Sequence, residues 1–394
     1  MGAGNPSLRE GIPQPIYLDH HATTPVDPRV AAAMQPYWSE DFGNAASRTH
    51  RFGWRAEAVV ELAREQLAAA IGAAEPREIV FTSGATESDN LALQGVLRAH
   101  EGEGDHVVSV ATEHPAVLDT CRFLAGEGIS LTVLPVDGAG LVDPVAVEAA
   151  ITDRTLAVSV MAANGEIGTL QPIEAIGRIC REREVLFHTD AAQAVGKIPL
   201  DVQRWGVDLL SMCAHKLYGP KGIGALYVRK RRPRISLQPL VHGGGQEGGL
   251  RSGTLPAPLI VGFARALELC LANLETEAAR LTLLREALWT RLSDALEGIA
   301  CNGSRERRLP GNLNVSFAGV NAEQLLVALS DVALSSGSAC ASGRGEPSHV
   351  LEALGLPEAA ARSSLRFGIG RSNDAEEIEW VAKRLVEAVG ALRG

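Results

Sequence analysis

Lys216 follows His215 directly after the apolar run Leu209–Met212. A lysine held at the end of a sheet strand can shed its proton and attack a carbonyl as a Schiff-base nucleophile. Asp190 closes another run, Phe187-His188-Thr189-Asp190, and Ser83-Gly84-Ala85-Thr86-Glu87-Ser88 lies between a strand pattern and the helical pattern Asp89–Leu97. Small residues in that position leave backbone N–H groups free to meet an anion at a helix start. Pyridoxal 5′-phosphate (PLP) needs this set: a lysine for its aldehyde, a carboxylate for its pyridinium nitrogen and a cup for its phosphate. Each piece alone has a plainer reading, a surface lysine or an ordinary Ser/Thr helix cap. It is their combination that points to a cofactor.

Other side chains fit around this set. His114, after Val107–Val110, has the chemistry to stack on a flat ring and move protons near neutral pH, or simply to cap a helix. Cys340 sits in Ser335-Ser336-Gly337-Ser338-Ala339-Cys340-Ala341-Ser342-Gly343, where small neighbours leave a thiol accessible as a nucleophile. Cys180 and Cys270 instead lie among apolar residues at helical spacing and read as small core residues. Arg366, in Ser364-Leu365-Arg366-Phe367, suits either a clamp on a substrate carboxylate or a structural ion pair. His20 and His21 lack the further ligands a metal needs and are read as structural.

These residues require elements to hold them. Between Asp41 and Val228 helical patterns alternate with apolar runs, the rhythm of a mostly parallel α/β sheet. Strands are expected at Glu78–Thr82, His106–Val110, Leu156–Met161, Val185–His188, Leu209–Met212 and Gly224–Val228, and a helix over Gly53–Ile71. The first five strands each run into polar or small residues, which would converge on one crevice beyond the strand ends. A long helical pattern, Pro258–Leu296, is expected to link this unit to a smaller α+β unit. That unit has strands at Asn314–Phe317 and Ser364–Gly368, a helix at Ala322–Leu329, another at Pro347–Leu354 after the Cys340 loop, and a final helix capped by Asp374. The expected division is a large domain over 26–270 and a small one formed by 1–25 with 271–394.

Composition narrows the rest. The 394 residues are 46% apolar and 21% charged, enough to bury a large core, and the net charge of −10 disfavours nucleic acid or anionic membrane as partners. The basic run Arg229-Lys230-Arg231-Arg232, with Arg234, reads as a solvated turn. The N-terminal segment lacks the apolar core of a signal peptide and no stretch is long and apolar enough to span a membrane, so the cytoplasm is expected. Six cysteines without a C-x-x-C pair indicate neither zinc nor a disulfide framework.

Together, Tyr17-Leu18-Asp19-x-x-Ala22-Thr23-Thr24-Pro25, Phe81-Thr82-Ser83-Gly84-Ala85-Thr86-Glu87-Ser88, Thr112-Glu113-His114, His215-Lys216, Arg251-Ser252-Gly253-Thr254 and Ser335-Ser336-Gly337-Ser338-Ala339-Cys340 resemble the NifS/IscS-like cysteine desulfurases. The resemblance implies PLP fold type I, the class-V aminotransferase fold, and a homodimer. It makes Lys216 the Schiff-base lysine, Asp190 the pyridinium partner and Gln193 a donor to the cofactor's phenolic oxygen, with His114 stacked on the ring. Ala85, Thr86, Cys213 and His215 would hold the phosphate, and Thr254 would reach it from the other subunit. Asn44 and Arg366 would bind the carboxylate of L-cysteine, and Cys340 would take the sulfur as a persulfide and pass it to an acceptor such as an iron–sulfur scaffold protein.

The chain departs from that pattern at three places. Gly165 stands where an asparagine is usual, Cys213-Ala214 replaces a Ser-Gly pair, and Ala45 replaces a proline beside Asn44. Two other readings compete with the desulfurase: a selenocysteine lyase or another PLP-dependent lyase on the same scaffold, and a non-catalytic sulfur-relay partner. Retention of Lys216, Asp190, His114 and Cys340 together argues against the last.

Overall fold

The computed structural model describes residues 15–232, 234–337 and 348–394. Cys340 lies outside these, as do Pro347 and the first residues of the chain. The described strands are β1 (Ile16–Tyr17), β2 (Ile79–Thr82), β3 (His106–Val110), β4 (Ser130–Leu134), β5 (Thr155–Ser159), β6 (Leu186–Asp190), β7 (Leu209–Cys213), β8 (Gly224–Val228), β9 (Ile299–Cys301), β10 (Asn312–Phe317), β11 (Val332–Ala333) and β12 (Ser364–Gly368).

Seven of them form one sheet in the order β2-β8-β7-β6-β5-β3-β4, parallel throughout except for β8, which runs against both its neighbours. Val, Ile, Leu and Phe dominate strands buried on both faces, as sheets covered by helices on each side require. Helix Arg51–Ala70 buries the stripe Ala56, Val60, Ala63 and Leu67, and His50 Nδ1 caps it by accepting from Gly53 N. It packs beside helix Ala257–Leu271, while helix Ala85–Ala99 covers β7 and β8 on the other face. A second core gathers Leu284, Leu288 and Leu292, strands β10 and β12, and Ile378, Val381 and Leu385 of helix Ala375–Arg393, whose Asp374 cap accepts from Glu377 N at 2.9 Å as expected.

Several expectations change. The helical pattern Pro258–Leu296 is two helices, Ala257–Leu271 and Leu274–Ala295, set at 72°. Ala272 and Asn273 keep helical spacing in sequence, but Asn273 leaves helical geometry and the chain turns there. Strand β4 was hidden because it is an edge strand mixing exposed and half-buried positions, without the continuous apolar run of its neighbours. The basic run is held rather than merely solvated: Arg229 and Arg231 pair with Asp208 and Lys230 with Glu75. No single described helix is long and apolar enough to cross a membrane.

Candidate active site

All five polar strand ends open onto one cavity of about 580 Å³. β2 delivers Ser83 to Glu87, β3 delivers Glu113 and His114, β5 leads to Asn164 and Gly165, β6 ends on Asp190, and β7 ends on Cys213 ahead of His215 and Lys216. A parallel sheet places these ends together because each strand terminates on the same side before its crossover.

One wall is built for an anion. Helix Ala85–Ala99 starts four residues earlier than its sequence pattern, so Ala85 and Thr86 form its first turn. Gly84 is its N-cap, no side chain caps it, and a Cβ at Gly84 would meet nothing within 4 Å. The uncapped end therefore faces open space lined by His215 and Cys213. Burial pushes the His215 imidazole down to about 4, with the charge of Lys216 adding to it, and its Nδ1 meets Thr23 Oγ1 at 3.1 Å. Burial also raises the Cys213 thiol, which remains a protonated, weak donor.

Asp190 lines the same cavity, its Oδ1 accepting from Ala192 N at 2.8 Å. Behind it, His188 bridges Ser159 Oγ and Ser211 Oγ, and burial holds it down to about 4. Burial raises Asp89 and Glu113 well above the carboxylate range, and the Asp190 charge adds to both shifts. Burial thus favours the protonated form of both neighbours. Lys216 lines both this cavity and a narrower one of about 50 Å³ on its other side.

His114 takes the plainer of its readings, a helix cap, and also lines the cavity. Its Nδ1 caps helix Pro115–Gly126 by accepting from Ala116 N, and its ring lines the cavity. The cap fixes the neutral tautomer with the proton on Nε2, and burial lowers its pKa. Arg366 makes the structural ion pair and also lines the cavity. It pairs with Asp19 at 2.7 Å, donates to the Gly165 carbonyl at 3.2 Å, and lines the cavity with a buried Nε that has no partner among the described residues.

Two expected residues lie elsewhere in the single chain. Asn44 is exposed, accepts from Ala46 N at 2.9 Å and borders a separate cavity with Arg64 and Glu247. Its loop is folded back on helix Arg51–Ala70 by close backbone approaches: a Cβ at Gly43 would meet the Phe52 carbonyl at 2.0 Å, and one at Gly53 the Ser47 carbonyl at 1.8 Å. Thr254 is also exposed and outside the cavity. Asn164 does not take the place of the absent side chain at 165. Its Oδ1 accepts from Glu166 N and Ile167 N and its Nδ2 donates to the Thr112 carbonyl, so the amide is spent on shaping the turn.

Sequence reasoning missed two groups here. His349, at the start of helix His349–Ala353, reaches the cavity and meets the Glu113 carbonyl at 2.9 Å across 236 residues, which no local pattern reveals. Lys197 lies four residues after Gln193 and donates to its Oε1 at 2.7 Å; the spacing was the only available signal.

The residues fit a PLP-sized group: one cavity brings together an uncapped helix start for a phosphate, a carboxylate and a lysine. Residues 16–381 match the family model Aminotransferase class-V. The chain is similar to the mitosomal cysteine desulfurase of Encephalitozoon cuniculi, 55% identical over 380 residues covering 96% of this chain and 87% of that one. It is 54% identical to the cysteine desulfurase IscS of Aeromonas hydrophila over 381 residues, covering 96% and 94%. A solved NifS-like protein superposes with a TM-score of 0.89 at 37% identity, covering 95% of this chain and 99% of the other.

Proposed function

The chain belongs to the class-V aminotransferase family as a PLP-dependent cysteine desulfurase of fold type I, and from that premise we propose how its residues divide the work. It converts L-cysteine to L-alanine with transfer of the sulfur, the reaction that feeds iron–sulfur cluster assembly. The observation that carries the residue assignment is the cavity joining Lys216, Asp190, His114 and the uncapped start of helix Ala85–Ala99.

In this reading Ala85, Thr86, Cys213 and His215 hold the cofactor's phosphate, Asp190 its ring nitrogen and Gln193 its phenolic oxygen, with His114 over the ring. Bound at Lys216, the cofactor supplies a sink for the electron pair left when the substrate loses its Cα proton. Arg366 draws the substrate carboxylate into the buried end of the cavity, where charge-assisted hydrogen bonds are strong. Lys216 takes the Cα proton. His114, neutral with its proton on Nε2, exchanges protons with the substrate. Cys340 then attacks the substrate sulfur as a thiolate: the S–S bond forms, the C–S bond breaks with its electron pair going to carbon, and protonation of that carbon, with return of a proton to Cα by Lys216, yields alanine. The persulfide on Cys340 passes to an acceptor protein.

A second copy completes the site. Trp38, Phe42, Phe52 and Trp54 are 56%, 63%, 40% and 54% exposed around the loop holding Asn44, an aromatic surface a monomer rarely leaves open. Pairing through it supports the placement of Thr254, and with it Asn44, at the neighbouring subunit's site. Residues 26–270 form the large domain and 1–25 with 271–394 the small one, in keeping with the two cores. The free thiols of Cys121, Cys180, Cys213, Cys270 and Cys301 fit a reducing compartment, for which we propose the cytoplasm.

The test is to supply L-cysteine and a thiol reductant and quantify alanine and sulfide from wild type and Cys340→Ala. Matched alanine and sulfide that disappear in the variant support the assignment. Sulfur transfer that survives in the variant refutes Cys340, and no alanine from a PLP-loaded wild type refutes the reading of the whole site.

A further inference from the structure

Resting on the cofactor reading above, we propose that Gln193 is a clamped amide whose orientation is set by His21 and Lys197, and that Gly165 is the space this setting requires. His21 and Lys197 are thereby positioning residues for the reaction.

Gln193 Oε1 meets two groups, Lys197 Nζ at 2.7 Å and His21 Nδ1 at 3.1 Å. Its Nε2 donates to the His21 main-chain carbonyl at 2.9 Å. A carbonyl oxygen only accepts, so an amide turned over would set oxygen against oxygen there. The network therefore fixes which end of the amide is which. It also fixes His21 as the Nδ1–H tautomer, because Gln193 Oε1 can only accept. One amide N–H is used on His21 and the other is left for the cavity that Gln193 lines.

Lys197 suits a fixed clamp rather than a solvated surface group. It lines the narrow cavity behind Lys216 and is held down to about 7 by burial, reinforced by the charge on Lys216. Arg366 acts in the same direction, while Cys213 and Cys270 are the groups that oppose it. His21 is neutral, lowered well below the ordinary histidine value by burial and then by Lys197. Its Nδ1 makes the contact that ties the ring to Gln193.

Gly165 completes the arrangement. A Cβ there would stand 2.5 Å from Gln193 Nε2, 3.0 Å from its Cδ and 3.2 Å from its Cγ. The end of a glutamine would ordinarily swing aside, but this one is tied at both its oxygen and its nitrogen. A side chain at 165 would press on the amide where it is tied to the His21 carbonyl. The glycine is thus matched to the Gln193 setting, which no side chain from Asn164 could replace.

The experiment uses cofactor-stripped full-length protein titrated with PLP, together with the pH midpoint of the bound cofactor's absorbance. Lys197→Met and Gly165→Ala are each expected to weaken PLP binding roughly fivefold, the size of one net hydrogen bond, and to move the midpoint in the direction that Gln193→Met moves it. Because all act through one amide, Lys197→Met added to Gln193→Met should produce little further change. A full additional shift in the double variant, or an unchanged Lys197→Met, overturns the proposal. Should Lys197→Met fail to fold, His21→Leu against His21→Asn decides: loss in the first and retention in the second, which keeps an N–H donor, supports the clamp, and equal behaviour refutes it. A wild type that takes up no PLP refutes instead the cofactor reading on which the clamp rests.

Discussion

Glu247 closes on Arg64 as a fork, with Arg64 Nη1 and Nη2 each donating to one carboxylate oxygen at 2.7 Å. The same carboxylate accepts from Phe81 N at 2.7 Å, so the segment 243–249 that carries Glu247 is fixed to both a long helix and the strand that leads into the anion cup. Both partners are nearly out of solvent, at 8% and 1% side-chain exposure.

Removing one half of that pair leaves a buried charge without its partner. Glu247→Ala is expected to destabilise the protein by about 3 kcal/mol, read from urea unfolding, and to cost more than replacing both residues with apolar ones. A loss below about 1 kcal/mol would show the fork to be incidental.

Acid should weaken the apoprotein in a defined window. Burial lowers His20 and His188 to about 4, so each folded pKa is below the unfolded value near 6.5. In this depressed direction the folded form stays neutral while the unfolded chain takes up protons. The contribution to stability is whole above the unfolded value and is lost as pH falls from about 6.5 towards 4. Urea unfolding across that range should show a falling stability, and His188→Gln should flatten part of the fall.

Cys213 presents a buried thiol to the anion cup where a hydroxyl would donate more strongly. Cys213→Ser is expected to bind PLP several-fold more tightly in a titration of the stripped protein. Equal affinities would mean the thiol makes no contact with the phosphate.

Arg366 divides its guanidinium between Asp19, the Gly165 carbonyl and the cavity. Arg366→Gln should raise the KM for L-cysteine by a factor on the order of 10 to 100, the scale of a lost charge-assisted hydrogen bond, with a smaller fall in kcat. A drop in kcat alone would move Arg366 from carboxylate binding to a structural role.

What the sequence made legible followed from local pattern. Asp190, His215, Lys216 and the Ser83–Ser88 turn each sit directly after an apolar run, and strand ends of a parallel sheet meet without needing long-range information. The start of helix Ala85–Ala99 was harder to place because Thr86, Glu87 and Ser88 read equally as loop or first turn. His349 and Lys197 were invisible for different reasons: one reaches its partner across 236 residues, the other acts through a glutamine rather than on a ligand. Asn44 and Thr254 stand apart from the cavity of their own chain, and pattern alone cannot tell which copy a side chain serves.

The outer position of β4 has a consequence for handling the protein. Ser130–Leu134 reads Ser-Leu-Thr-Val-Leu, without a charge, and Val133 is 42% exposed at the open margin of the sheet. Its outward N–H and C=O groups form a template for a strand from another molecule, and Pro135 and the preceding Gly128 are the nearest features that cut the ladder short. Aggregation on concentration should therefore begin there, and a lysine in place of Val133, which does not line the cavity, would blunt the edge.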